Sequence, residues 1–258
     1  MNPILSVENV KKIYRSKPLF QPVSSTEAVS NVSLSLQPGE TLAIVGESGC
    51  GKSTLAKLIM GIEPLTAGTI LFDGKPRNKM SLTEQRRHVQ LIFQDPYGSL
   101  NPRKKAWEII SEPLKINFNS SKSECKKRAA ELMELVGLRP ELSNRYPHMF
   151  SGGQRQRIGI ARALMLKPKV LLCDEPVSAL DVSIQAQILN LLLDLQEELG
   201  LSYLFISHDL SVVRHIADRV LVLFYGKVVE MGTVEEIFEN PQHEYTRKLL
   251  ASTPKLIK

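Results

Sequence analysis

The stretch Gly46-Glu47-Ser48-Gly49-Cys50-Gly51-Lys52-Ser53-Thr54 fits G-x-x-x-x-G-K-[ST] at every fixed position. It follows the apolar run Thr41 to Val45 and opens the helical pattern Leu55-Ala56-Lys57-Leu58-Ile59, so it reads as strand, glycine loop and helix. Glycines let successive backbone N–H groups converge on phosphate oxygens, and the helix behind them adds about half an elementary charge at its N-terminus. Lys52 is placed to reach β- and γ-phosphates, and the Ser53 hydroxyl to hold Mg²⁺. The chemistry implied is binding of a nucleoside triphosphate. Two readings stand for Cys50: a small residue that fits the loop, or a thiol whose pKa is lowered beside a helix N-terminus.

Phosphoryl transfer also needs carboxylates. Val170-Leu171-Leu172-Cys173 is an apolar strand ending in Asp174-Glu175-Pro176. Asp174 suits Mg²⁺, usually through water, and Glu175 suits orienting and deprotonating a water for in-line attack on the γ-phosphate. Upstream, Ser151-Gly152-Gly153-Gln154 precedes the apolar helical pattern Ile158 to Leu164. It is a second helix N-terminus suited to an anion.

Ser-Gly-Gly-Gln just upstream of paired carboxylates resembles the signature motif of ATP-binding cassette (ABC) ATPases, and the likeness to that family runs throughout the chain. The resemblance implies roles for further residues. Gln94 matches the Q-loop glutamine, which contacts Mg²⁺ and the attacking water and links the site to a membrane partner. Ser178 and Asp181 lie in the D-loop, which crosses a dimer interface; His208 matches the switch histidine at the γ-phosphate. Tyr14 sits where the family stacks an aromatic ring on adenine. The implied catalytic set is Glu175, His208 and Gln94, with ATP and Mg²⁺ as cofactors and the metal near Ser53, Gln94 and Asp174. Ser151 to Gln154 would complete the ATP held by a second ATPase subunit, so one chain supplies two half-sites.

The segments Phe93 to Arg103, Tyr146 to Phe150 and Pro241 to Thr246 are similar to the dipeptide/oligopeptide and nickel importer subfamily, most of all to the second ATPase of dipeptide systems. The partners implied are a paralogous ATPase, two transmembrane permease subunits and an extracytoplasmic substrate-binding protein, with this chain peripheral on the cytoplasmic face of the inner membrane. Peptide-group members usually continue into a cysteine-bearing C-terminal extension, whereas this chain stops at Lys258. That keeps nickel or metal-chelate import and antimicrobial-peptide-related transport open. A non-transport ABC ATPase acting on nucleic acid or the ribosome would show a long coiled-coil insertion, zinc-ligand cysteines or tandem cassettes, and none is visible.

These residues need a scaffold that brings strand ends together. Apolar runs Leu42–Val45, Val89–Phe93, Val170–Cys173, Tyr203–Ile206 and Val220–Leu223 alternate with helical patterns, which predicts a largely parallel sheet buried on both faces. Short strands at Ile4–Val7 and Val32–Leu36 predict an antiparallel element, with a Ser/Pro-rich loop from Ser16 to Thr26 between them. After the punctuated loop Asp95 to Arg103, helices are expected around Trp107–Ile110 and Ser123–Val136. In the second, Ser123 is the N-cap, Gly137 the stop, and Ala129, Leu132, Leu135 and Val136 the apolar face. The expectation is one α/β domain, a P-loop NTPase three-layer sandwich. It divides into antiparallel β (about 1–40), core (about 41–93 and 166–225), helical subdomain (about 95–165) and tail (about 226–258).

Composition sets the outer limits. Of 258 residues, 43% are hydrophobic and 23% charged, ordinary for a globular protein, and no apolar run reaches the roughly 18 residues needed to span a bilayer. The N-terminus lacks a signal-peptide pattern. Three scattered cysteines, Cys50, Cys125 and Cys173, fit a reducing compartment and not a zinc site. The net charge is +6, but the basic clusters are short and have no interleaved aromatics, so nucleic acid is not an expected partner.

Overall fold

Alternation at Val32, Leu34 and Leu36 points every second side chain to one face, and those three residues are buried. In the computed structural model, which describes residues 2–16, 24–95 and 97–252, they belong to a long antiparallel pair, Leu5–Ser16 with Ser24–Leu36. Within the two expected loops, residues 17–23 and Pro96 lie outside the described residues. The antiparallel sheet extends beyond the first forty residues. Ala67–Phe72 pairs with Leu5–Ser16, and Lys75–Pro76 follows it at the edge.

The described residues form two compact units, one reaching to Met80 and resuming at Ser202, the other Ser81–Leu201. The first holds the antiparallel sheet and a parallel set centred on Thr41–Val45, with Ser202–Ile206 on one side and Arg219–Phe224 on the other. Lys227–Thr233 then turns back antiparallel to Arg219–Phe224. Thr41–Val45 and Ser202–Ile206 are buried along their whole length, as strands covered on both faces must be. One core layer gathers Ala43, Val45, Val213, Val220, Val222, Ile237 and Tyr245, so the last helix, Glu244–Ala251, packs onto the strand that launches the glycine loop.

The second unit pairs Val89–Ile92 in parallel with Val170–Asp174, register Ile92 to Cys173, and carries the helices Ala106–Ile110, Glu112–Phe118, Lys122–Leu135, Gly152–Leu164 and Val182–Leu199. Two expectations for the third helix are corrected. Its N-cap is Ser121, whose hydroxyl accepts from Glu124 N at 3.2 Å; Ser123 lies inside the helix, with Lys126 where a capping acid would be needed. Its buried stripe is Cys125, Ala129, Met133 and Val136, while Leu132 and Leu135 are half-buried. Gly137 does take the left-handed φ of 71° expected just past a helix end.

Candidate functional site

In the first unit the glycine loop leaves Val45 and enters the helix Lys52–Met60. The helix N-cap is Gly51 at φ 112°, its side makes no cap hydrogen bond, and no acidic residue occupies the first turn. Its leading N–H groups therefore keep their partial positive charge for an anion. Close approach dictates two of the glycines. A Cβ at Gly46 would lie 2.2 Å from Leu223 O, and one at Gly51 would lie 2.4 Å from Ala28 O. Lys52 is buried, its Nζ donating to Gly46 O at 2.7 Å and Glu47 O at 2.9 Å, so the ammonium is held within the curl of the loop. Glu47, Ser48, Gly49 and the Ser53 side chain are exposed, and Thr54 is half-buried.

Cys50 is 6% exposed, and burial pushes its thiol pKa up; the Lys52 ammonium, 3.8 Å away, pulls the other way without overcoming it. This runs against the activated-thiol reading: desolvation outweighs the Lys52 charge and the hydrogen bonds that favour the thiolate. Native protein at pH 7.5 is expected to take up iodoacetamide at Cys50 at least about tenfold more slowly than unfolded protein. The rate should climb as pH rises toward the raised pKa. Intact-mass labelling curves check this, and equal rates in the two states would refute it.

His208 follows the strand Ser202–Ile206, which lies parallel to Thr41–Val45 with Ile206 level with Ile44. It is exposed, in a turn fixed by Ser207 Oγ accepting from Asp209 N at 3.0 Å and by Asp209 capping the helix Leu210–Ile216. Loop and histidine thus leave the carboxyl ends of neighbouring parallel strands, the usual ligand position in such sheets. Tyr14 is 39% exposed; its hydroxyl donates to Glu63 and also meets the Thr54 side chain. Lys12 Nζ lies 4.9 Å from the ring centroid, so a cation already covers one face of the ring.

The second unit repeats the strand-end logic. Gln94 lies just beyond Val89–Ile92, and Asp174 and Glu175 stand at the end of Val170–Asp174. Gln94 Nε2 donates to Glu175 Oε2 at 2.9 Å. Glu175 has φ 49°, a left-handed conformation that costs a side-chain-bearing residue and that clusters at functional positions. Ser178 N and Oγ both donate to Glu175 O, at 3.3 and 3.1 Å, closing the turn after it. Asp181 occupies the N-cap of Val182–Leu199 without a side-chain cap bond.

Ser151 caps the helix Gly152–Leu164 in a reciprocal box: its Oγ accepts from Gln154 N at 3.3 Å, and Gln154 Oε1 accepts from Ser151 N at 3.1 Å. Gly152 faces Leu180 of the D-loop, a Cβ there falling 3.4 Å from its Cδ2, and Gly153 faces the helix that follows, where a Cβ would fall 2.6 Å from Ile184 Cγ2. Two glutamines that motif reading passed over brace this region. Buried Gln156 donates to Pro176 O at 2.7 Å, and Gln185 Nε2 donates to Val177 O and Leu180 O at 3.0 and 3.1 Å. The one signal for Gln156 was a polar residue on the helix's apolar face.

A family model described as "ABC transporter" matches residues 29–178, and one described as "Oligopeptide/dipeptide transporter, C-terminal region" matches residues 229–258. The chain belongs to the ABC transporter family. This ABC ATPase is 55% identical to the dipeptide transport ATP-binding protein DppF of Escherichia coli, over 98% of this chain and 77% of that protein. It is also 55% identical to the oligopeptide transport ATP-binding protein OppF of the same species, over 91% and 72%. Among solved structures, the ABC fold is similar to the cassette MJ0796 in a dimeric post-hydrolysis state bound to ADP and Pi. The TM-score is 0.77 at 31% identity, covering 89% of this chain and 98% of that one. It is also similar to cbiO1 from Clostridium perfringens, with TM-score 0.79 and 30% identity, covering 99% and 97%. Among the described residues of this ABC chain, no helix is long and apolar enough to cross a membrane.

Proposed function

We propose that the chain, as a single ABC ATPase domain, is the ATP-hydrolysing subunit of an importer for short peptides. The observation that carries this reading is the nucleotide loop and the Gln94–Glu175 pair in a chain 55% identical to peptide-transport ATPases. Loop residues Gly46 to Thr54 bind the phosphates through backbone N–H groups, and Lys52 adds a fixed positive charge. Tyr14 stacks on adenine with the face that Lys12 leaves.

Ser53, Gln94 and Asp174 would hold Mg²⁺. Their oxygen donors suit a hard ion, and among the described residues no cluster of three or more His, Cys, Asp or Glu could cage a metal by itself. Held there, Mg²⁺ would supply positive charge against the charge that develops on the phosphates in transfer. Glu175, oriented by the amide of Gln94, accepts the proton of the attacking water, and His208 contacts the γ-phosphate.

Ser151 to Gln154 bind the ATP of a second, paralogous ATPase subunit across an interface that Ser178 and Asp181 help to form. Closure on ATP and reopening after hydrolysis would drive two permease subunits at the cytoplasmic face of the membrane, with a binding protein delivering cargo. The test is to purify the chain with its membrane partners and measure ATPase stimulation by dipeptides, oligopeptides and nickel or metal chelates. Peptide stimulation supports the reading. Stimulation by a metal chelate alone transfers the chain to metal import, and recovery without any membrane partner points to a non-transport ATPase.

A further inference from the structure

The peptide group joining Gly46 to Glu47 is gripped on both sides. Its carbonyl, Gly46 O, accepts from Lys52 Nζ at 2.7 Å, and its N–H, on Glu47, donates to the phenol oxygen of Tyr245 at 2.9 Å. Rotating this peptide would displace one of the two loop carbonyls that station the Lys52 ammonium, Glu47 O at 2.9 Å being the other. Tyr245 comes from 198 residues away, is 7% exposed, and packs on Phe224 with ring centroids 4.0 Å apart.

The segment that delivers the phenol is tied down independently. The Glu230 carboxylate accepts from Gln242 N at 2.6 Å and His243 N at 3.0 Å. Burial raises the pKa of Glu230, but the hydrogen bonds donated to it prevail and hold it below the ordinary carboxylate range, so this anchor is charged at neutral pH. His243 Nδ1 accepts from Tyr245 N at 3.1 Å and starts the helix Glu244–Ala251, while Arg247 closes the turn through Pro241 O and Gln242 O.

We propose that Tyr245 is a positioning residue for nucleotide binding: through the Gly46–Glu47 peptide it fixes where Lys52 sits and holds the loop in its phosphate-competent shape. This rests on the nucleotide-site reading above. A loop that is competent only part of the time binds ATP more weakly in proportion to the lost fraction, without altering chemistry once ATP is bound. Tyr245→Phe removes one oxygen and keeps the ring packing.

The experiment is titration calorimetry of the full chain with MgATP, alongside steady-state turnover and thermal unfolding. For Tyr245→Phe the expected result is a Kd and KM raised about fivefold, the scale of one neutral hydrogen bond, with kcat within about twofold. The unfolding midpoint should stay close to wild type. A wild-type Kd, with or without a lowered midpoint, would overturn the proposal by leaving the phenol a structural contact only. Should Tyr245→Phe not fold, Glu230→Gln carries the test, because it keeps the phenol and loosens only its anchor. A raised Kd there supports the proposal and a wild-type Kd overturns it. Failure of the wild-type chain to bind MgATP would count instead against the nucleotide-site reading.

Discussion

Glu175→Gln is expected to lower ATP turnover by about 10²- to 10⁴-fold, the range that a positioned general base contributes, while MgATP binding stays within a few-fold of wild type. Glutamine keeps the shape and still offers an oxygen to Gln94 Nε2, which lies 2.9 Å from Glu175 Oε2. It also bears the same cost of a left-handed φ of 49° as the glutamate does, so the turn that Ser178 closes should form as before. What is lost is the basic site for the proton of water. Phosphate release and equilibrium ATP binding measure the two quantities separately. Undiminished phosphate release would break the mechanism proposed here, and loss of binding together with turnover would assign Glu175 to the ground state instead.

The second large effect separates two glycines of one loop. Gly46→Ala places a Cβ 2.2 Å from Leu223 O and 2.8 Å from Cys50 Sγ, at φ 151°. The nearest obstacle is backbone of the adjoining strand, which cannot swing aside as a side-chain tip can, so the loop itself must move. MgATP affinity is expected to fall at least about 100-fold, about 2.8 kcal/mol at 1.4 kcal/mol per factor of ten. Gly49→Ala meets nothing within 4 Å, and its strain is the left-handed φ of 81° alone, on the order of 1–2 kcal/mol. It should fold and bind with a much smaller loss. Equal Kd values for the two variants would show that the approach to Leu223 O does not constrain the loop.

How far the chain could be read without coordinates depended on how local each signal was. The strand–loop–helix around Lys52 was legible because the loop's residue types, its preceding apolar run and its following helix lie within about twenty consecutive residues. The five apolar runs were likewise legible as strands, since burial on both faces leaves an unbroken hydrophobic stretch. Ala67–Phe72 left no such mark. Its first three residues are exposed, and it is a strand because Leu5–Ser16 pairs with it. The helix start at Ser121 was legible from Ser121 and Glu124, three apart, but Ser123 beside them offered a rival without the acid. Motif reading could name Gln94 and Glu175 as candidates; it could not put their side chains 2.9 Å apart across 81 residues. Tyr245 carried no local sign of its bond to Glu47, because nothing in the residues around it refers to a loop near the other end of the chain.

The bracing of the second unit bears on how its variants will behave in combination. Gly153 rests against Ile184, Gln156 holds Pro176 O, and Gln185 holds Val177 O and Leu180 O, so the Ser-Gly-Gly-Gln start, the carboxylate turn and the D-loop share their supports. Residues that share supports do not contribute additively. Substitutions in these three segments should therefore show strong epistasis: once one support is gone, removing a second does little further harm. In a lineage, that ties the three stretches to a common fate, free to change together and penalised for changing one at a time.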